Sequence, residues 1–439
     1  MNLLILARQR FSINLICQVM SELIKGLNML KPNEGNKYVF KNIQFNSVHL
    51  PPLNEVAHLL HLPNNISGMI THAQSFYGSD VPVSKSSISH LSNQGVGKPT
   101  FKKIYTWFKS LSPRISEVFN LEVLKKTFKA ARVGSNASTY YPCTYGFNCS
   151  KKSNNNDNEL NALLDWLEER SHADYLMMSE IHNKAKSKSI DKKSPKDIWQ
   201  LQKPYWQSHS LVPSHQLSIF DGFFNSDKKR ENYTNEDALA LAEATYHLTF
   251  DFYLSAIANY EVGLHSYYRR IDENYKPKKG TSFFTNVLNT LIESDESNGC
   301  FDSVLIELKE LVSSNDKPMT WRRLASFVPL EKSQSDYTES GESLNDRQYK
   351  QLKDWRNGKN LPSFLRLEKF IKAIFASHGN YDSLAMLMYF RISRGIDTKI
   401  QECFEQTHSE KVIPIFKTVI GQYPSYFEHY TDKLNKAAT

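Results

Sequence analysis

Helical periodicity constrains this chain more than any other feature. From Glu236 to about Arg270 apolar residues recur at the spacing of helix faces, and Leu160, Leu163, Leu164 and Leu167 open another such run. Only Tyr38 to Leu50 alternates as a strand does, which predicts a small N-terminal β hairpin. The expected fold class is therefore mainly α, a multi-domain helical protein. Polar, aperiodic stretches at Lys151–Glu159, Lys184–Lys196, Asn225–Glu236 and Glu331–Asn345 read as loops or linkers between the helical runs. They suggest an N-terminal helix and hairpin over 1–50, a basic segment over 51–150, a helical middle domain over 151–300, a module over 301–378 and closing helices over 379–439.

With 40% hydrophobic and 23% charged residues, the chain can bury a sizeable core and falls outside the disordered class. Five scattered cysteines form no disulfide framework, so a reducing, cytoplasmic setting is expected. Cys143 and Cys149 have five residues between them, whereas zinc ligand pairs are usually separated by about two to four. No metal or other cofactor is expected. Near the N-terminus the longest uncharged run, Phe11 to Ser21, is too short to span a bilayer. Leu15, Ile16, Val19, Met20, Leu23, Ile24 and Leu27 there follow one helix face, so no membrane partner is expected.

The net charge of +8 is concentrated in two windows. Ser84–Arg132 holds ten basic residues against Glu117 and Glu122, a local +8; Arg347–Lys372 holds eight against Asp354 and Glu368, a local +6. Together they carry +14, which leaves −6 for the rest. Positive charge gathered into two patches on an otherwise acidic chain is the footprint of a polyanion binder.

One of those windows coincides with a motif. Thr320-Trp-Arg-Arg-Leu324-Ala325 resembles the second helix of the lambda-repressor-like, or XRE-type, helix-turn-helix domain: a capping Thr or Ser, three variable residues, Leu and Ala. Leu352, Trp355, Gly358 and Pro362 resemble its third helix and the turn that follows. Thr320 can cap the second helix, Ala325 permits a close crossing, and Leu352 and Trp355 lie one turn apart facing the core. Gly358 suits the left-handed residue that ends a helix, and Pro362 suits the start of the next. Val304, Leu305, Leu308, Leu311 and Val312 supply an amphipathic first helix. The resemblance covers about residues 301–377. One departure is that Pro329–Asn345 intervenes where the family has a turn of a few residues.

A second copy is expected at about residues 50–112, where Gly95 and Pro99 repeat the spacing of Gly358 and Pro362. The resemblance implies double-stranded DNA as partner, with a homodimer as a further expectation. It implies base reading from the start and exposed face of the third helix: Gln348, Tyr349, Lys350 and Asp354 in one copy, Ser84, Lys85, Ser86 and His90 in the other. Phosphates would be held by the turn after it, through Asn357, Lys359 and Asn360, or Asn93, Gln94 and Lys98. On this reading the chain is a regulator of transcription or the DNA-binding component of a mobile or defence element, with no catalytic residue.

Two other classes stay open. A metal-dependent nuclease could use Asp251, Glu243 or Glu261 of the middle segment, or Asp302 with Glu307 and Lys309. The pairs Glu243/His247 and Glu261/His265 face the same way but lie about 27 Å apart along a helix, too far to share a metal. Alternatively, the chain is an interaction scaffold whose modules no longer touch DNA.

Overall fold

The structure is a computed structural model and describes residues 49–60, 62, 68, 70–71, 73–74, 78–93, 97–111, 121–142, 144, 159–191, 194–225, 235–272, 282–293, 298–313, 318–330, 343–379, 382–407 and 412–437. It is mainly helical, with no strand among the described residues. The expected hairpin and N-terminal helix lie outside them, apart from His49 and Leu50. Among the described residues no helix is long and apolar enough to cross a membrane.

The chain divides into two compact units, one of Met1–His58, Leu62–Lys276 and Ser425–Thr439, the other of Leu59–His61 and Pro277–Pro424. The first unit carries α1 (Leu53–Leu59), α2 (Lys85–Asn93), α3 (Lys98–Leu111), α4 (Leu121–Val133), α5 (Asn161–Lys186), α6 (Pro195–His209), α7 (Ser214–Asn225) and α8 (Asn235–Ile271). The second carries α9 (Phe283–Glu293), α10 (Cys300–Leu311), α11 (Trp321–Ala325), α12 (Leu344–Arg356), α13 (Phe364–His378), α14 (Ser383–Thr407) and α15 (Val412–Ile420). From Ser425 on, α16 (Tyr423–Ala437) belongs to the first.

α8 is the expected long helix, 37 residues or about 55 Å at 1.5 Å per residue. α5 and α7 pack against it, and α4 and α6 pack on α5. From Ile257 to Leu264 it is buried on every side, and before that stretch Phe250, Asp251, Phe252, Leu254 and Ser255 are buried beside half-buried Thr249 and Tyr253. A helix surrounded in this way has no polar face to keep, which accounts for aromatics spread around its axis. Gly263 is needed because a Cβ there would collide with the Glu159 carbonyl, where the turn into α5 crosses α8. Trp199, Trp206, Leu217, Phe220 and Leu248 close a second core beside it.

The polar centre of this unit is Arg170 on α5. Its Nη2 donates to Asp251 Oδ2 at 2.7 Å, its Nε to the His49 carbonyl at 2.7 Å, and its Nη1 to the His209 carbonyl. The other Asp251 oxygen accepts from the Leu211 amide at 2.9 Å and the Tyr426 hydroxyl of α16 at 3.1 Å. The carboxylate expected as a nuclease ligand is thus consumed by protein donors. Asp174, one turn along α5, accepts from the Ser135 hydroxyl at 2.5 Å. The His49 ring lies 3.9 Å from its other oxygen. Burial, with Arg170 beside it, holds that imidazole well below its ordinary value, so the contact is no ion pair at neutral pH. Ser135, His49 and Asp174 do not form a nucleophile relay either, because all three are buried and the hydroxyl donates to the carboxylate.

In the second unit α10 packs on α9, α12 and α14, and α13 packs on α14. Asp397 of α14 caps α10, accepting from the Cys300 and Phe301 amides at 2.7 and 2.9 Å.

Removing one charge from the central pair leaves the other buried and uncompensated. Arg170→Met is expected to cost about 3 to 5 kcal/mol in a urea titration. The paired Arg170→Met/Asp251→Leu variant should not regain parental stability, because the His49 and His209 carbonyls and the Leu211 amide would lose their partners. A paired variant as stable as the parent would show that the network is dispensable.

Burial pushes Asp174 up to about 6, against the Ser135 hydrogen bond that lowers it. A carboxyl raised on folding stabilises the fold below its unfolded value near 4, and that contribution disappears as pH rises through 6. Between pH 4 and 7 the parent should therefore lose on the order of 3 kcal/mol through this group. Asp174→Asn should lack that pH dependence in parallel thermal melts.

Candidate nucleic-acid interface

The segment expected to read DNA begins with α11. Thr320 caps it, its hydroxyl accepting from the Arg323 amide at 3.2 Å. Leu324 and Ala325 are fully buried, and α12 packs on α11. Ser343 caps α12 by accepting from the Asp346 amide, and the helix ends at Gly358 with φ +68°. The Lys359 amide closes that end on the Asp354 carbonyl at 2.8 Å. Pro362 precedes α13 rather than starting it, since the Ser363 hydroxyl takes the capping position and accepts from the Arg366 amide.

α12 has two faces. Gln348, Leu352 and Trp355 are buried at i, i+4 and i+7. Trp355 is fully buried and meets Phe370 edge-on at 5.4 Å. Opposite them Asp346, Lys350, Lys353 and Asn357 are exposed. Here the expectation for Gln348 is corrected. Its side-chain nitrogen donates to the carbonyls of Ser326 and Val328, both at 2.9 Å, so it clamps the end of α11 rather than facing a base. With both amide hydrogens spent inside the fold, the Gln348 nitrogen has no donor left for a base edge.

The remaining expected residues are placed as follows. Lys350, Asn357 and Lys359 are exposed, and Tyr349 is half-buried with the Arg322 guanidinium 5.0 Å over its ring. Asp354 and Asn360 hold each other, the Asn360 amide donating at 3.2 Å. Ser84 caps α2, accepting from the Ser87 amide, and Ser84, Lys85, Ser86 and His90 are all exposed. Beneath them Ile88 is buried, as are Ile104 and Trp107 of α3. Asn93 ends α2 and Lys98 begins α3, but their side chains, and all of Gln94, lie outside the described residues.

Residue type alone concealed Arg322, which stands among the variable positions of the motif. It is 70% exposed, stacks on Tyr349 and pairs with Asp346 at 3.1 Å, which brings the start of α11 beside the start of α12. Ser343 and Arg322 both donate to the Asp346 carboxylate and hold it below the usual range. Lys353, one turn on from Lys350, is a second exposed cation that the motif did not single out.

Two cations of the charge window serve the fold instead. Arg356 grips Asp302 through Nε at 2.7 Å and Nη2 at 3.2 Å, and lies 3.8 Å from the Trp321 ring centroid. Arg366 donates to the Pro329 carbonyl at 2.8 Å and stacks over Trp355. Asp302 is thereby engaged by a cation, and Glu307 accepts from the Thr290 hydroxyl. Glu243 accepts from Gln216 at 3.0 Å beside a buried His247, and burial lowers His265 to about 4. Among the described residues no three His, Cys, Asp or Glu side chains gather as a metal site.

Comparison of the chain with protein-family models, curated proteins and solved structures returned no match.

Trp355→Ala should cost about 3 to 5 kcal/mol, since a large ring leaves a cavity between α12 and α13. Gln348→Ala should cost about 1 to 3 kcal/mol, because two carbonyls lose their donor. Thermal melts measure both; a Gln348→Ala variant as stable as the parent would return that residue to the exposed face.

Proposed function

We propose that the chain is a double-stranded DNA-binding protein, with a lambda-repressor-like helix-turn-helix over α10–α13 as its reading head. One observation carries this reading: α12 is fixed to α11 and α13 along one face, while the other presents Lys350 and Lys353 to solvent, with Lys359 on the turn after it. A helix anchored in this way can enter a major groove as a rigid body. Lys350 and Tyr349 lie where base edges would be read, and Arg322 sits beside them. Lys353, Asn357 and Lys359 lie where the backbone would be gripped. The exposed start of α2, with Ser84, Lys85, Ser86 and His90, supports a second contact from the first unit. Regulation of transcription is the role this implies.

The nuclease reading has less support because two of its candidate carboxylates are paired with buried or half-buried arginines, Asp251 with Arg170 and Asp302 with Arg356. A reducing setting suits the buried free thiol of Cys300, which burial pushes well above its ordinary value.

Lys350, Lys353, Lys359, Lys85, Lys102 and Lys103 are exposed and carry no ion pair among the described residues. If about four to six of these cations meet phosphates, log affinity for duplex DNA should fall against log salt with a slope of about −4 or steeper. A slope shallower than about −2 would overturn the reading. Lys350→Ala should weaken a selected site by about 1 to 3 kcal/mol and random duplex less, whereas Lys359→Ala should weaken both alike and reduce the slope by about one. Fluorescence anisotropy on selected and scrambled duplexes checks both.

A further inference from the structure

α4 closes the first basic window in sequence, beyond the residues assigned to duplex reading. Val123, Thr127 and Ala130 are buried at i, i+4 and i+7, so the helix is docked along that face. Its packing partner is α5. On the opposite side Lys125, Phe128, Lys129 and Arg132 fall at i, i+3, i+4 and i+7, one stripe about 10 Å long. All four are exposed, Phe128 with 43% of its surface open to solvent. Lys125, Lys129 and Arg132 carry no ion pair among the described residues.

We infer that this stripe binds a single-stranded nucleic acid, with an unpaired base stacked on Phe128 and the flanking phosphates held by Lys125, Lys129 and Arg132. A solitary exposed phenyl ring is ordinary on a protein surface. Here it lies one turn from a cation on either side, the arrangement that pairs a stacking platform with an electrostatic track. An intact duplex hides its base faces, so the ring would gain nothing there without kinking the stack. Insertion into an anionic membrane needs a broad apolar face, and that of α4 is already spent inside the unit. An acidic peptide would use the cations and leave the ring idle. The inference goes beyond the duplex reading and does not depend on α12.

The test uses the full chain with fluorescein-labelled 12-mers of deoxythymidylate and uridylate, which separate a DNA strand from an RNA strand. Phe128→Ala should weaken the preferred 12-mer about tenfold or more. It should leave duplex binding unchanged, and it should have no effect on an abasic 12-mer. Lys129→Gln should reduce the salt slope for the 12-mer by about 0.7. Phe128→Trp should bind at least as well as the parent, with its indole fluorescence quenched by the thymidylate strand and not by the abasic one. Because the ring is exposed, the melting curves of these variants should match the parent. Binding of the 12-mers by Phe128→Ala as tightly as by the parent overturns the inference. So does Phe128-dependent binding to vesicles of anionic lipid without Phe128-dependent binding to the strand. Lys350→Ala should leave the 12-mer untouched, so strand binding without duplex binding would sink the duplex reading alone, and the reverse would sink this inference alone.

Discussion

The ion pair between Arg170 and Asp251 sits at the centre of the first unit, with 1% and 0% of the two side chains exposed. Taking two charges out of water costs several kcal/mol each, so such a pair persists only where its geometry repays that cost. All three guanidinium nitrogens are used, and Asp251 takes a backbone amide and a tyrosine hydroxyl besides the arginine. Five segments far apart in sequence therefore meet at one point: the His49 segment, α5, the connection from α6 to α7, α8 and α16. Each must arrive in one register, because a slip would leave a buried charge or carbonyl unpartnered.

Arginine does similar work in the second unit. Arg356 joins Asp302 of α10 to Trp321 of α11 from the end of α12, and Arg366 joins Pro329 to Trp355. A planar, weakly hydrated guanidinium can stack and donate in a fork, whereas the lysine ammonium keeps its water. The division within the charge window is therefore physical rather than accidental. Its arginines at 356 and 366 turn inward as braces, and its lysines at 350, 353, 359 and 369 stay exposed. A local charge of +6 overstates what the surface offers, because formal charge does not distinguish a brace from an open contact.

Much of the fold was legible because its signals are local. The long middle helix follows from periodicity, the cap at Thr320 from a hydroxyl before an apolar run, and the left-handed Gly358 from the need for a residue without Cβ. Gln348 was misplaced because an amide reads as a surface residue, although its spacing from Leu352 and Trp355 already put it on the buried face. Pro362 suits a first helical residue by type, but Ser363 offers a hydroxyl and wins the capping position. Arg170 and Asp251 could not have been paired from one sequence: 81 residues separate them, and nothing local in either helix announces the other. Phe128 is illegible for the opposite reason, since its helix pattern is ordinary and only the burial of the opposite face shows the ring to be left outside.

The long connection between α11 and α12 bears on whether such a module can hold a fixed shape. Where a short turn joins two helices, the turn itself sets their angle. Here residues 331–342 lie between them, and the work passes to side chains on either side. Arg366 holds Pro329 at the start of the connection, Ser343 caps α12 at its end, Arg322 pairs with Asp346, and Gln348 bonds two carbonyls of the turn after α11. Two of these, the Gln348 bonds, are shielded from water and cannot be exchanged for solvent without cost. The angle between α11 and α12 is thus held by contacts among residues that flank 331–342.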